Sequence, residues 1–152
     1  MELCALEVKP ARSYSEKMKM TTTARDIMSS KLIVAREGMN VEEALKLLVN
    51  NKITGLPVVN VRGEMVGIVS EYDIIAKVGA AKTLDPQLFQ GELPYTKKVE
   101  AVNVDTSLED ILDRFISLKC RRLPVLDGDG RLVGIISRRD VMKVLYYRAK
   151  VN

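Results

Sequence analysis

"LPVVNVRGEMVGIVSEYD" occupies Leu56 to Asp73, and "LPVLDGDGRLVGIISRRD" occupies Leu123 to Asp140. One offset of 67 residues lays Pro57 on Pro124, Gly67 on Gly134, Ser70 on Ser137 and Asp73 on Asp140, without a gap. The register continues upstream, where Val41, Ala44, Leu45, Leu48 and Val49 fall on Leu108, Ile111, Leu112, Phe115 and Ile116. Each set has i, i+3, i+4, i+7, i+8 spacing, which predicts a helix with one apolar stripe. Asn40 with Glu43, and Ser107 with Asp110, supply the matching start signals.

Two short apolar runs follow each helix: "LPVVN" and "EMVGIVS", then "LPVLD" and "RLVGIIS". Their β-branched content predicts strands. "NVRG" and "DGDG" between them carry the Asn, Asp and Gly that tight hairpins favour, so each pair is expected to be antiparallel. The pattern turns helical again at "EYDIIAKV" and "RRDVMKVLYYRAK", and "KLIVA" and "KVEAV" are expected to add a strand ahead of each unit. The prediction is an α/β (α+β) fold of two β-α-β-β-α repeats. Neither repeat can cover its sheet alone, so the two are expected to pack about a pseudo-twofold axis as one compact module. The divisions are a flexible tail over 1–21, a first domain over 22–80, a linker over 81–98 and a second domain over 99–150. Asp85 followed by Pro86 predicts a short helix within the linker.

Composition narrows the chemistry. The chain has no histidine, which removes the usual general base, zinc ligand and neutral-pH switch together. Its two cysteines, Cys4 and Cys120, form neither a close pair nor a metal-type cluster. No catalytic constellation and no metal site are expected. No apolar run approaches the roughly 20 residues that span a bilayer, and the first twenty residues lack a signal-type hydrophobic stretch, so a cytoplasmic protein with no membrane partner is expected. The net charge of +4 permits an anionic ligand. Acids at Glu64, Glu71, Asp127 and Asp129 interrupt the basic stretches, and aromatics are few, which argues against a nucleic-acid surface.

The doubled "GIVSEYD" and "GIISRRD", the "ITGLPVV" and "RRLPVL" segments and the leading "ARDIMSS" together resemble cystathionine β-synthase (CBS) domains. The pair resembles a Bateman module, and the resemblance runs from about Thr22 to Tyr147. It implies a regulatory, signal-transducing role, adenosine-containing ligands in the cleft between the repeats, an aspartate on the ribose, the strand before the proline near the base, and homodimerisation. It also implies that the "DIMSS" segment serves the base pocket of its own half. The second repeat has "LPYTKK" there, without the methionine and hydroxyl residue, so its adenine contact is expected to be weaker.

The strand-to-helix turns hold the candidate residues. A serine hydroxyl and the first free N–H groups of a helix can seat a phosphate, and an aspartate one turn later can accept from ribose hydroxyls. The same Ser-x-x-Asp spacing is also a capping box that only satisfies its own helix. Its repetition beside the "LPV" strand favours the ligand reading. Across the offset, Thr54, Gly55, Glu71 and Tyr72 become Arg121, Arg122, Arg138 and Arg139, and guanidinium groups suit phosphate oxygens. The favoured site is therefore Arg121, Arg122, Leu123, Ser137, Arg138, Arg139 and Asp140. Arg138 and Arg139 are adjacent at a helix start and are not expected both to face one cleft. A weaker, empty or nucleoside-type site is expected at Thr54, Gly55, Leu56, Ser70 and Asp73. The expected ligand is a regulatory adenine nucleotide, AMP, ADP or ATP, with S-adenosylmethionine a further candidate and no catalytic cofactor. The competing reading is a ligand-free dimerisation or protein-interaction module. The regulated partner is not legible.

Overall fold

The computed structural model describes residues 22–97 and 99–150, so the tail expected over 1–21 falls outside the described residues. In chain order the elements are α1 (Ala24–Ile27), β1 (Ala35–Arg36), α2 (Val41–Asn51), β2 (Gly55–Val59), β3 (Met65–Ser70), α3 (Glu71–Ala81), α4 (Pro86–Phe89), β4 (Val102–Asn103), α5 (Leu108–Leu118), β5 (Arg122–Leu126), β6 (Leu132–Ser137) and α6 (Arg138–Lys150). Two three-stranded sheets result, ordered β1-β2-β3 and β4-β5-β6. β1 runs parallel to β2, and β2 pairs antiparallel with β3 from Gly55 opposite Ser70 onward. β4 likewise runs parallel to β5.

Local chemistry accounts for these elements. The Asn40 side chain accepts from the Glu43 amide at 2.9 Å to start α2, and Ser107 accepts from Asp110 at 3.2 Å to start α5. Asp85 caps α4 by accepting from Gln87, with Pro86 in the first turn. In the first hairpin Asn60 Oδ1 accepts from the Arg62 and Glu64 amides, and Gly63 takes φ +81°. Gly130 holds the same left-handed position in the second hairpin, at φ +80°.

The leading strands are shorter than "KLIVA" and "KVEAV" predict, and only Ala35–Arg36 and Val102–Asn103 pair. The reason lies in where the chain passes from one packed unit to the other. One unit, built on the second sheet, comprises residues 22–32, 100–128 and 133–150. The other, built on the first sheet, comprises 33–97, 99 and 129–132. "KLIVA" straddles that change at Leu32–Ile33, and "KVEAV" straddles it at Val99–Glu100.

The units therefore do not follow the contiguous blocks expected from the repeat. α1, at the start of the first repeat, packs in the second sheet's core, where Ala24 and Ile27 join Val102, Leu108, Ile111, Leu123, Ile136, Val141 and Val144. Ala24 donates to the Thr106 carbonyl at 2.9 Å, and Leu108 donates to that of Thr22 at 2.9 Å. The reciprocal segment, ahead of the second repeat, packs in the first sheet's core, where Leu93 is buried with Leu56, Val58, Val69 and Ile74 and Tyr95 lies against them.

Candidate functional site

Each sheet ends in a turn whose serine and aspartate are locked together. At the second, Ser137 donates to Asp140 Oδ2 from its amide at 2.8 Å and from Oγ at 2.9 Å, while the Asp140 amide donates to Ser137 Oγ at 3.1 Å. At the first, Ser70 donates to Asp73 Oδ2 at 2.8 Å and 3.0 Å, and the Asp73 amide returns to Ser70 Oγ at 3.3 Å. Both are complete capping boxes. Each uses one carboxylate oxygen, so Oδ1 of Asp73 and Oδ1 of Asp140 have no hydrogen-bond partner among the described residues. The cap fixes the side chain in place and leaves a half-buried, charged acceptor at the helix start.

Thr54 and Arg121 stand at equivalent places beside these turns. The Thr54 carbonyl accepts from the Glu71 amide at 3.0 Å, and that of Arg121 from the Arg138 amide at 3.1 Å. Gly55 lies directly opposite Ser70, and a Cβ there would meet the Val69 carbonyl at 3.2 Å. Leu56 and Leu123 are fully buried core residues that hold the sheets, and neither presents surface to a ligand.

The four arginines divide. Arg138 donates from Nε to the Cys120 carbonyl at 2.9 Å and from Nη2 to that of Lys119 at 3.2 Å, closing the C-terminal end of α5. Its guanidinium serves the fold, where two carbonyls beyond the helix end need donors. Arg121, Arg122 and Arg139 are exposed, with no side-chain partner among the described residues. At the first turn the position of Arg138 is held by Glu71, exposed and likewise unpaired among the described residues. The Cys120 thiol beside this cluster is pushed up by burial.

The residues that sequence reasoning missed come from the leading segments. Ser29 and Ile135 exchange amide-to-carbonyl hydrogen bonds at 2.9 Å each way, which lays Met28-Ser29-Ser30-Lys31 along β6 just ahead of Ser137. Ile68 and Thr96 make the same exchange at 2.9 Å, so Tyr95-Thr96-Lys97 lies along β3 ahead of Ser70. Met28 covers Gly134, and the Tyr95 ring covers Gly67. "DIMSS" therefore flanks the second turn, the reverse of the expectation that it serves its own half. The missing methionine of "LPYTKK" bears on the first turn, and its hydroxyl residue is present as Thr96. The 67-residue offset, which lays Met28 on Tyr95 and Ser29 on Thr96, marks the two segments as equivalent without saying which turn each flanks.

A family model described as the CBS domain matches residues 24–80 and again 91–147. CBSX2, a chloroplastic CBS domain-containing protein of Arabidopsis thaliana, is 33% identical over 149 residues, covering 80% of this chain and 62% of the relative. The chain thus spans less than two thirds of that relative's length. A crystal structure of CBSX2 in complex with AMP matches with a TM-score of 0.71 at 34% identity, over 84% of this chain and 98% of that one. The CBS domain pair of protein MJ0100, in complex with 5'-methylthioadenosine and S-adenosyl-L-methionine, matches with a TM-score of 0.67 at 25% identity, over 85% of this chain and 99% of that one. Among the described residues no helix is long and apolar enough to cross a membrane.

Proposed function

This chain belongs to the CBS-domain family as a tandem pair, and from that premise we propose that it is a non-enzymatic regulatory module that binds an adenosine-containing nucleotide at the Ser137–Asp140 turn. The observation that carries the reading is the composition of that turn. An immobilised aspartate with a free Oδ1 belongs to a turn whose main chain is bonded to Arg121, the neighbouring side chains of Arg121, Arg122 and Arg139 are exposed without a partner among the described residues, and Ser29, Ser30 and Lys31 lie along β6 ahead of it. Asp140 Oδ1 accepts from ribose hydroxyls, while Arg121, Arg122 and Arg139 meet phosphate oxygens. The AMP complex of CBSX2 and the methylthioadenosine and S-adenosylmethionine complex of MJ0100 support an adenosine ligand. The module signals by binding its ligand more tightly in one of two conformations or partner states, since only such a difference shifts an equilibrium.

The first turn has the same aspartate, but Glu71 repels phosphate and no arginine stands at Thr54 or Gly55. It is a nucleoside-type or empty site. Replacing Arg121 and Arg122 by alanine should therefore weaken ATP binding by about tenfold or more, at roughly 1.5–3 kcal/mol per charged hydrogen bond lost, while leaving adenosine binding nearly unchanged. Calorimetric titration of both ligands checks this.

The reading is tested by thermal unfolding with AMP, ADP, ATP, NAD and S-adenosylmethionine. A true ligand at about 100 times its dissociation constant adds roughly 2.7 kcal/mol of stability. Stabilisation by one adenine ligand, lost in Asp140→Asn, is the expected result. No stabilisation by any of them favours the alternative of a ligand-free interaction module, to which the completeness of both capping boxes lends support.

A further inference from the structure

The two repeats close their long helices differently. In the first, α2 ends on its own backbone: the Lys52 amide donates to the Leu48 and Val49 carbonyls, and the Ile53 amide donates to that of Leu48 at 3.1 Å. The repeat offset makes Lys119 and Cys120 the equivalents at the end of α5. There the Lys119 amide donates to the Phe115 carbonyl at 3.2 Å, and the Cys120 amide makes no matching bond among the described residues. A side chain closes the helix instead. Arg138 donates to the Cys120 carbonyl at 2.9 Å and to the Lys119 carbonyl at 3.2 Å. Glu71, its equivalent in the first repeat, is a carboxylate with no proton to donate.

Arg138 directly follows Ser137, so the cap of α5 starts from the nucleotide turn itself. Its amide is bonded to the Arg121 carbonyl at 3.1 Å, and its guanidinium lies on the two residues just before Arg121. A phosphate held by Arg121 and Arg122 therefore competes for the same guanidinium. Two neutral carbonyls, each taking one bond, are weaker partners than a phosphate, whose charge and paired oxygens match the planar fork. Arg138 is exposed, so its transfer disturbs no packed surface.

We propose that Arg138 is a detachable cap: the phosphate of a nucleotide at the Ser137–Asp140 turn draws its guanidinium from the Lys119 and Cys120 carbonyls and loosens the end of α5. The proposal rests on the nucleotide reading of that turn and adds the group that is sensed, the phosphate, and the place that responds. Without the cap, two carbonyls at a helix end lose their donors, and the Lys119–Phe115 bond alone holds the terminus. Cys120, which packs with Phe115 and Leu118 against the second sheet's core, is released with it. The first turn has no such device, because α2 closes without a side chain from α3.

Cys120 reports the event in the chain carrying Cys4→Ser. Burial raises its pKa, so loosening speeds its reaction with N-ethylmaleimide through both access and thiolate fraction. The labelling rate is measured with adenosine, AMP and ATP, and binding is measured by calorimetry on the same samples. AMP and ATP are expected to raise the rate about tenfold and adenosine to leave it unchanged, while Arg138→Ala labels at the raised rate with or without nucleotide. Hydrogen exchange of the Lys119 amide in the unmodified chain, faster with ATP than with adenosine, gives the same result without a substitution. Bound ATP that leaves both rates unchanged or slows them, adenosine that raises them as much as ATP, or Arg138→Ala labelling no faster than its parent overturns the proposal while the nucleotide reading stands. If no nucleotide binds, the reading and the proposal fall together.

Discussion

Ile27→Ala is expected to destabilise the second-sheet unit by about 2–4 kcal/mol, although Ile27 lies in the leading segment of the first repeat. Its side chain is buried among Val102, Ile111, Leu123, Ile136 and Val144. Truncation removes its transfer free energy and leaves a cavity that these residues, held on three strands and two helices, fill only in part. Leu93→Ala should do the reverse and loosen the first sheet, where Leu93 packs with Leu56, Val69 and Ile74. Urea unfolding gives the magnitude, and native-state hydrogen exchange gives the location. Faster exchange in β5 and β6 for Ile27→Ala, and in β2 and β3 for Leu93→Ala, is the expected pattern. Losses confined to each residue's own repeat would show that the leading segments are not exchanged.

Gly67→Ala is expected to cost about 2 kcal/mol or more, and Gly134→Ala roughly 1 kcal/mol or less, despite their equivalence in the repeat. A Cβ on Gly67 would lie 2.6 Å from the Thr96 carbonyl oxygen and 2.8 Å from Tyr95 Cε2. That carbonyl is bonded to the Ile68 amide at 2.9 Å, so it retreats only by breaking the pairing that holds Tyr95-Thr96-Lys97 along β3. At Gly134 the obstruction is the Met28 side chain, with Cγ at 2.8 Å, and an unbranched thioether can turn aside. The relief of unfolded-chain entropy that accompanies Gly→Ala, about 0.4–1 kcal/mol, offsets part of both costs. Denaturant midpoints of the two variants decide it, and equal losses would contradict the contact assigned to each glycine.

The repeat made most of the fold legible, because periodicity in helices and β-branched runs in strands are local properties. Asn40, Ser107 and Asp85 cap the helices their spacing predicts. What stayed illegible was non-local. Nothing in "ARDIMSS" states which sheet it will cover, since Ala24 and Ile27 are equally apolar to either core. The same limit applied to the site. Ser70, Asp73, Ser137 and Asp140 follow from spacing, and so does their capping. Arg138 looked like a phosphate ligand because the chain alone gives no sign that the Lys119 and Cys120 carbonyls would claim its guanidinium. Leu56 and Leu123 were drawn in by their neighbours, and burial returns them to the core.

The most direct test of the nucleotide reading is calorimetric titration of AMP into the unmodified chain, Asp140→Asn and Asp73→Asn. Asparagine keeps an oxygen for the serine cap and removes the carboxylate oxygen that the cap leaves free. Loss of a charge-assisted hydrogen bond, roughly 1.5–3 kcal/mol, corresponds to about a tenfold to hundredfold weaker association. The account predicts that loss for Asp140→Asn, with Asp73→Asn close to the unmodified chain. Equal binding by all three proteins, or a loss confined to Asp73→Asn, would contradict the assignment of the Ser137–Asp140 turn as the nucleotide site.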